Sequence, residues 1–254
     1  MGDQFWLMGE PAERMRARCP KVRGKARSDD RGVLSGIIHV TRNGLRWRDA
    51  PAVYGPHKTL YNRFVRRSRL GVFARAFGDL ARPGGEGDTI TRVQHPPQGP
   101  PHGGPSLSKG GARPRAIGRT EGGLSSKPHR VGDGRGRPPT VFLSPGRMSD
   151  ARGALALLAE LPAAKRILGD RGCDADRLRD EPKGRGLRIC IPARRGRRSP
   201  ASHNRGLHRT SHRIENAFSR LKDWRGIATR HARRSDLLPS ATCRAATVIF
   251  WLPL

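Results

Sequence analysis

Two carboxylates in the C-terminal half of the chain stand where they could bind a metal ion. Asp170 follows the short apolar run AAKRIL, at the place where a strand would end, and this is a usual position for functional groups in α/β folds. Glu215 lies inside the predicted helix RTSHRIENAFSRLKDWRGIA, and Lys222 follows two turns later on the same face. Because Mg²⁺ prefers oxygen ligands, Asp170 and Glu215 together could hold that ion.

Each carboxylate also has a purely structural interpretation. Asp170 could be a turn or cap residue before Gly172, and Glu215 could form a surface ion pair with Arg or Lys. For single carboxylates these structural roles are the more frequent ones. The metal-site hypothesis therefore needs a wider context that links the two residues.

The elements around the two carboxylates alternate between strands and helices. LSSKPHRV and PTVFLSP flank a GDGRGRP turn and predict a hairpin, with strands from Leu124 to Val131 and from Thr140 to Ser144. SDARGALALLAEL predicts a capped helix that begins at Ser149 or Asp150, and GLRICIPA predicts another short strand. Strands that alternate with helices predict an α/β sandwich.

Three short helices are predicted before residue 82. The first begins with a capping signal at Ser28 to Asp30 and ends at Gly44. The second begins near Pro56 and ends at Gly71, and the third covers about 72–80. Three short helices, with a basic one after a tight turn, suit a helix-turn-helix module that binds DNA. The alternative is a small helical cap whose arginines face solvent.

The charge of the chain points to a polyanionic partner. Lys and Arg total 51 against 21 Asp and Glu, which gives a net charge of +30 over 254 residues. A charge of this size, dominated by Arg, favours nucleic acid as the partner. The candidate DNA-binding side chains are six basic residues from the second helix and the Glu215 helix: Lys58, Arg63, Arg66, Arg67, Arg213 and Arg220.

Several other classes of protein find no support in the sequence. The four cysteines form no CxxC pair, so a zinc module or a disulfide framework is not expected. No GxxxxGK[ST] motif indicates an ATP-driven mechanism. The N-terminus does not read as a signal peptide, and the run AATVIFWLPL is too short to span a bilayer. We expect a cytoplasmic, nucleoid-associated protein.

Six ordered blocks along the chain resemble one family of enzymes. They are SGIIHVTRNGLRWRDAP, YGPHKTLYNRF, AIGRTEGGL, LGDRGCDAD, HRIENAFSRLKDWR and AATVIFWL. They resemble bacterial insertion-sequence transposases of the DDE type, in the fifth insertion-sequence family, over about residues 3 to 252. The resemblance implies a helical DNA-binding region at 1–82 and an RNase H-like catalytic domain at 117–254, with residues 83–116 as a disrupted segment.

The resemblance also implies the chemistry of the site. In such enzymes three carboxylates bind two divalent ions, expected here to be Mg²⁺, that activate water or a DNA 3′-hydroxyl and stabilise the leaving oxygen. Asp170 matches the family's second Asp, Glu215 matches its Glu, and Lys222 matches the Lys that follows. The partners implied are double-stranded DNA, as terminal inverted repeats and target, and further copies of the chain on that DNA.

Several positions depart from the family pattern. His208 and Ser211 stand where the Glu215 helix usually carries Tyr and Arg, and Cys173 replaces another Tyr. Pro128 interrupts a predicted strand and would remove a ladder hydrogen bond if that strand is central. These departures bear on whether this chain retains catalysis.

The family's first Asp has no clear counterpart. It should follow the first strand, ahead of a segment similar to THLKAHRTA, but the chain reads VQHPPQGPPHGGPSL at 93–107 and has no carboxylate between Asp88 and Glu121. Shifting the codons of this stretch by one base permits SSTHLKAHRTAARL. We therefore hypothesise that residues from about 91 to 107 are an out-of-frame reading, flanked by compensating indels. The alternative is a genuine Pro/Gly linker, and Asp88 is the nearest substitute ligand.

Three functional hypotheses remain at this stage. The first is a metal-dependent DNA transposase in an impaired copy. The second is a non-catalytic DNA-binding remnant, and the third is a basic nucleoid- or ribosome-associated protein. The ordered carboxylates in family context favour the first two over the third.

Overall fold

Helices come before, between and after the strands in the order of the chain. The computed structural model describes residues 4–17, 19, 29–81, 90–93, 118–120, 123–132, 137, 140–145, 147–158, 166–183, 186–198, 203–209, 216, 219–228 and 237–252. The described helices are α1 (Gly9–Ala17), α2 (Asp30–Asn43), α3 (His57–Arg69), α4 (Val72–Ala81), α5 (Asp150–Leu158), α6 (Asp176–Lys183), α7 (Arg205–Arg209), α8 (Arg225–Ala228) and α9 (Leu238–Phe250). The strands are β1 (Ile90–Val93), β2 (Gly118–Thr120), β3 (Gly123–Gly132), β4 (Thr140–Pro145), β5 (Arg166–Leu168) and β6 (Arg188–Cys190).

The chain divides into two units. The first comprises Met1–Leu80 and Arg220–Leu254, and the second comprises Ala81–Ser219. The break at residue 80 lies close to the boundary expected at 82. The other end differs from the expected organisation, because the described residues 220–228 and 237–252 belong to the same unit as the N-terminal helices.

Three helices of the first unit, α2, α3 and α4, lie where the local sequence predicts them. Asp29 caps α2 by accepting hydrogen bonds from the backbone N–H groups of Arg31 and Gly32. Gly44 ends α2 in the left-handed conformation, with φ of 65°, which glycine adopts without strain. Pro56 precedes α3, and α4 occupies the third predicted position.

The helix α2 is the centre of the first unit. Residues 32–41 are all buried, which indicates that other elements cover the helix on every side. The contact with α8 is especially close, because a Cβ added at Gly226 would collide with the backbone carbonyl of Thr41. Glycine is therefore required at this crossing.

The buried Arg244 links α9 to α2 and to the aromatic core. Its guanidinium donates to the Thr41 hydroxyl and lies over the rings of Phe64 and Phe73, at 4.8 and 5.2 Å from their centroids. Such cation–π contacts are strongest when they are desolvated, and Arg244 has no exposed surface. The contact between Arg244 and Thr41 places the C-terminal helix in the first unit.

In the second unit β3 is the central strand among those described. β1 pairs with it antiparallel, with Val93 opposite His129, and β2 pairs antiparallel with its first residues. β4 pairs antiparallel over 126–131, which confirms the predicted hairpin. β5 and β6 form a parallel pair, with Ile167 opposite Ile189.

The register explains how β3 accommodates Pro128. On one side Pro128 lies opposite Leu143 of β4. On the other side it falls between residues 123–125, which pair with β2, and residues 129–132, which pair with β1. The strand is central, as the sequence analysis considered, but its proline occupies the gap between the two neighbouring strands.

A buried apolar cluster lies in the described part of the second unit. Its buried residues come from α5, β5, α6 and the segments that follow β5 and β6: Ala154, Ile167, Cys173, Leu178 and Ile191. The helix α5 approaches β3 so closely that a Cβ at Gly153 would collide with the buried His129 ring. This packing fixes the first turn of α5, which carries Asp150.

Within the described part of the chain, we find no helix with the length and apolar character that a membrane crossing requires.

Candidate active site

The end of β5 positions Asp170 as the sequence predicts. β5 is paired with β6, and Gly169 donates its N–H to the carbonyl of Cys190, so the backbone is held up to the residue before Asp170. Asp170 then caps the 3-10 turn Arg171–Cys173, where its Oδ1 accepts the N–H of Cys173 at 3.2 Å. The cap role considered for Asp170 is therefore real, and it orients a half-buried carboxylate at a strand end.

A second carboxylate lies beside Asp170. A Cβ added at Gly172 would be 2.5 Å from Oδ2 of Asp150 and 3.3 Å from Oδ1 of Asp170. A side chain at 172 would collide with the Asp150 carboxylate, so glycine at this position lets Asp150 lie against the turn that Asp170 caps. Asp150 was predicted only as the start of a helix, because twenty residues separate it from Asp170 along the chain.

The environment of Cys173 is consistent with this arrangement. Burial raises the pKa of the Cys173 thiol well above its usual value, and the negative charges of Asp170 and Asp150 raise it further. The thiol therefore stays protonated near neutral pH and is not a thiolate ligand. The carboxylate oxygens of Asp170 are of the donor type that suits Mg²⁺ and Mn²⁺.

A separate ion network holds the loop after Asp170. The carboxylate of Asp174 is completely buried and accepts from the guanidinium groups of Arg179, at 2.7 Å, and Arg197, at 3.0 Å. It also accepts the backbone N–H of Arg194 at 2.8 Å. Burial alone would raise the pKa of Asp174, but these hydrogen bonds and the two positive charges lower it overall. Asp174 thus stabilises the loop and is not available for metal.

Four other predicted site residues lie outside the described residues or outside the second unit. Glu215, Arg213 and Asp88 lie outside the described residues. Lys222 is exposed and belongs to the first unit. Within the described part of the chain no three metal-ligating side chains come together.

Four predicted DNA-binding residues on α3 have different environments. Lys58 and Arg66 are exposed. Arg63 is half-buried, 3.6 Å from the carboxylate of Asp30. Arg67 is only 2% exposed and pairs with Asp30 at 2.5 Å, so the prediction of Arg67 as a DNA contact is wrong. Its guanidinium is held inside the unit and cannot reach phosphate.

The exposed side of α3 carries two further polar residues that were not among the predicted DNA contacts. Asn62 and Arg69 are exposed, and they are spaced three or four residues from Lys58 and Arg66 along the helix. Residues at this spacing share one side of a helix. We call Lys58, Asn62, Arg66 and Arg69 the α3 outer face. The spacing of these four residues in the sequence could have identified the α3 outer face.

Arg220 differs from the residues of the α3 outer face. It is exposed, but its guanidinium donates to the carbonyl of Ile249 at 3.2 Å and lies 5.2 Å from the Phe250 ring centroid. Arg220 thereby contacts the end of α9. Its predicted contact with DNA stays a prediction.

Comparison with known families assigns the class of protein that these features indicate. A family model described as "Transposase DDE domain" matches residues 89–238, and a model described as "Putative transposase of IS4/5 family" matches residues 1–77. The chain belongs to the DDE transposases of the IS4/5 family. The resemblance inferred from the six sequence blocks is confirmed.

A curated relative agrees with this assignment. Over 137 residues the chain is 26% identical to the protein named "Putative transposase for insertion sequence element IS402" from Burkholderia cepacia. The match covers 50% of this chain and 63% of the relative, so the chain spans less than two thirds of that protein. No solved structure matches the chain.

Proposed function

We propose that the chain is a DNA transposase that binds the ends of an insertion sequence and carries out metal-dependent DNA strand cleavage and transfer. The observation that carries this proposal is Asp170, which follows a paired strand inside the segment that matches the DDE domain. Carboxylates at strand ends of α/β folds are well placed to act on a bound ligand. Asp170 is thus the anchor of the proposed site.

The strand order supports an RNase H-like fold for the second unit. The described strands β1, β3 and β4 form an antiparallel group, and β5 and β6 add a parallel pair. The helices α5 and α6 alternate with the last strands. This sequence of strands and helices is what the family's catalytic domain leads us to expect.

The residues fit a divalent metal. The carboxylate oxygens of Asp170, and of Glu215 as the family resemblance assigns it, are the donors that Mg²⁺ prefers. When bound, a pair of such ions would activate the attacking oxygen and stabilise the leaving oxygen of the phosphodiester. The contribution of the chain is to hold Asp170 at a fixed strand end, through β5 and the capped turn.

The α3 outer face is the proposed DNA contact of the first unit. Its basic side chains are exposed, whereas Arg67 on the opposite side is buried. Lys and Arg on a single side of a helix can contact successive phosphates of a duplex. Binding to terminal repeats by this face, and assembly of several copies on the DNA, remain predictions, as does a cytoplasmic location at the nucleoid.

A second candidate function is a DNA-binding protein without catalysis. β1 ends at Val93, immediately before the Pro/Gly-rich stretch, and the next carboxylate in the sequence is Glu121. The position where the family has its first Asp therefore lacks a carboxylate. This observation favours a copy that keeps DNA binding but has lost turnover.

The test is a strand-cleavage assay with Mg²⁺ or Mn²⁺ on duplex DNA that carries the element's own ends. The chain is compared with a version in which SSTHLKAHRTAARLS, preceded by Asp, replaces the Pro/Gly-rich stretch. Cleavage by either protein that disappears in Asp170→Asn supports the transposase proposal. Cleavage by the restored version alone assigns the present chain to the non-catalytic candidate. If neither protein cuts, or Asp170→Asn still cuts, the proposed site is wrong.

A further inference from the structure

A short basic loop follows β6 on the same edge of the strand pair as Asp170. It consists of residues 194–198, with the sequence Arg-Arg-Gly-Arg-Arg, and we call it the basic loop. Because β5 and β6 are parallel, their carboxyl ends lie at one edge, where the N–H of Gly169 donates to the carbonyl of Cys190. Asp170 follows one strand and the basic loop follows the other, at the edge where α/β folds usually bind their ligands.

The segment after Asp170 holds the backbone of the basic loop. The buried carboxylate of Asp174 accepts the backbone N–H of Arg194 at 2.8 Å. It also accepts from the guanidinium of Arg197 at 3.0 Å, and Arg197 pairs in addition with Asp176. The basic loop is therefore anchored to residues that lie four and six positions after Asp170.

The basic loop is itself a closed turn. The N–H of Arg197 donates to the carbonyl of Arg194 at 3.3 Å, and Gly196 between them has φ of 80°. A positive φ at the third residue of a β-turn favours glycine, which the sequence supplies there. The arginines are thus presented from an ordered backbone, and this lowers the entropic cost of binding a ligand.

Three arginines of the basic loop have exposed side chains: Arg194, Arg195 and Arg198. Their positive charges lie close together and repel one another, so a negatively charged partner would relieve the repulsion. The planar guanidinium group binds phosphate through paired hydrogen bonds, and duplex DNA offers phosphates in a regular row. The basic loop therefore fits the phosphate backbone of DNA.

A solvated turn is the alternative interpretation of these arginines. In a chain with a net charge of +30, many basic side chains face solvent without binding anything. That interpretation explains why the three side chains are exposed. It does not explain why they are concentrated on a turn that a buried carboxylate ties to the segment after Asp170.

We propose that Arg194, Arg195 and Arg198 bind phosphates of the duplex DNA whose strand Asp170 acts on. This inference rests on the proposed function, because it takes DNA as the substrate of the site at Asp170. It assigns a DNA contact to the second unit, in addition to the α3 outer face of the first unit.

The test is binding of labelled duplex DNA to the full chain, measured by fluorescence anisotropy at several salt concentrations without divalent metal. The Arg195→Ala, Arg198→Ala double variant should bind more weakly. It should also reduce the slope of log affinity against log salt by about 2. The Arg195→Lys, Arg198→Lys variant keeps both charges and should keep the slope.

The matched control is the Arg48→Ala, Arg188→Ala double variant. It removes the same charge from two exposed positions, one in the first unit and one at the amino end of β6, and it should leave the slope unchanged. If the control and the basic-loop variant lower the slope equally, the effect belongs to the total charge and the proposal is overturned.

A second measurement uses the unmodified chain and does not depend on whether a variant folds. Phenylglyoxal modifies accessible arginines, and the modified positions are mapped by mass spectrometry with and without duplex DNA. DNA should protect Arg194, Arg195 and Arg198 and leave Arg188 reactive. Equal reactivity of the three arginines with and without DNA would overturn the proposal.

The outcomes separate this inference from the proposed function. If the basic-loop variant keeps the slope while the Lys58→Ala, Arg66→Ala variant lowers it, the basic loop is not a DNA contact and the contact proposed for α3 stands. If the unmodified chain does not bind duplex DNA, both the inference and the proposed function are overturned.

Discussion

Two aspartates four residues apart have different roles because their surroundings differ. Asp174 is enclosed by the guanidinium groups of Arg179 and Arg197, and its charge is neutralised inside the protein. Asp170 lies just after the end of β5, where its carboxylate caps the turn Arg171–Cys173. Sequence context placed Asp170 correctly at a strand end, but it did not reveal the pairing of Asp174.

Asp174→Asn should lower the free energy of unfolding of the second unit by about 3 kcal/mol, because it leaves the buried guanidinium of Arg179 without its anion and removes one of the two carboxylates that Arg197 contacts. The measurement is urea unfolding followed by far-ultraviolet circular dichroism. Asp176→Asn is the control, since the Asp176 side chain is 76% exposed although it also pairs with Arg197. Equal stability of the two variants would contradict the structural role of Asp174.

The Asp174 network also predicts how stability depends on pH. The pKa of Asp174 is lower in the folded protein than its usual value of 3.8, so the carboxylate stabilises the fold at all higher pH. This contribution should be lost as the pH falls through the folded-state pKa. In unfolding measurements from pH 7 downward, Asp174→Asn should lose less stability in acid than the unmodified chain. A parallel decline of both would count against the network.

At the scale of the elements, the close crossing of α2 and α8 can be tested directly. Gly226→Ala would push a methyl group into the Thr41 carbonyl and should lower the free energy of unfolding of the first unit by about 1–3 kcal/mol. The measurement is urea unfolding followed by tryptophan fluorescence, because all four tryptophans lie in this unit: Trp6, Trp47, Trp224 and Trp251.

Gly78→Ala is the matched control for that experiment. Gly78 lies in α4, and an added Cβ would meet no atom within 4 Å. Because alanine favours helix over glycine, this change should raise the free energy of unfolding by about 1 kcal/mol. If Gly226→Ala stabilised the protein as much as Gly78→Ala does, that result would contradict the close approach of α8 to α2 at Gly226.

Local sequence predicted the elements better than their arrangement. Periodicity, caps and turn residues located α2, α3, α4 and the β3–β4 hairpin, because those signals act within one element. The assignment of α9 to the first unit depends on contacts such as Arg244 with Thr41, which lie 203 positions apart. No local pattern encodes such a pairing. The same limit hid Asp150, whose neighbour Asp170 comes from a different element.

At the scale of the molecule, the charge of +30 should make DNA binding strongly dependent on salt. If the α3 outer face contacts phosphates, the Lys58→Ala, Arg66→Ala double variant should weaken duplex binding. It should also reduce the slope of log affinity against log salt by about 2. Fluorescence anisotropy with labelled duplex DNA at several salt concentrations measures both quantities.

The control for DNA binding is Arg48→Ala, which removes an exposed charge from the 3-10 turn Trp47–Asp49. It should leave the salt slope close to that of the unmodified chain. A double variant with an unchanged slope would show that α3 does not contact the phosphates. Binding that did not depend on salt at all would contradict the electrostatic account as a whole.

The central claim is that Asp170 is a catalytic carboxylate of a DNA transposase, and excision in cells tests it most directly. A donor plasmid carries the element's own ends, the chain or its restored version is supplied separately, and empty donor sites are counted by sequencing. The account predicts excision by the restored version and none when that version also carries Asp170→Asn. Excision that persists in the Asp170→Asn variant would contradict the account.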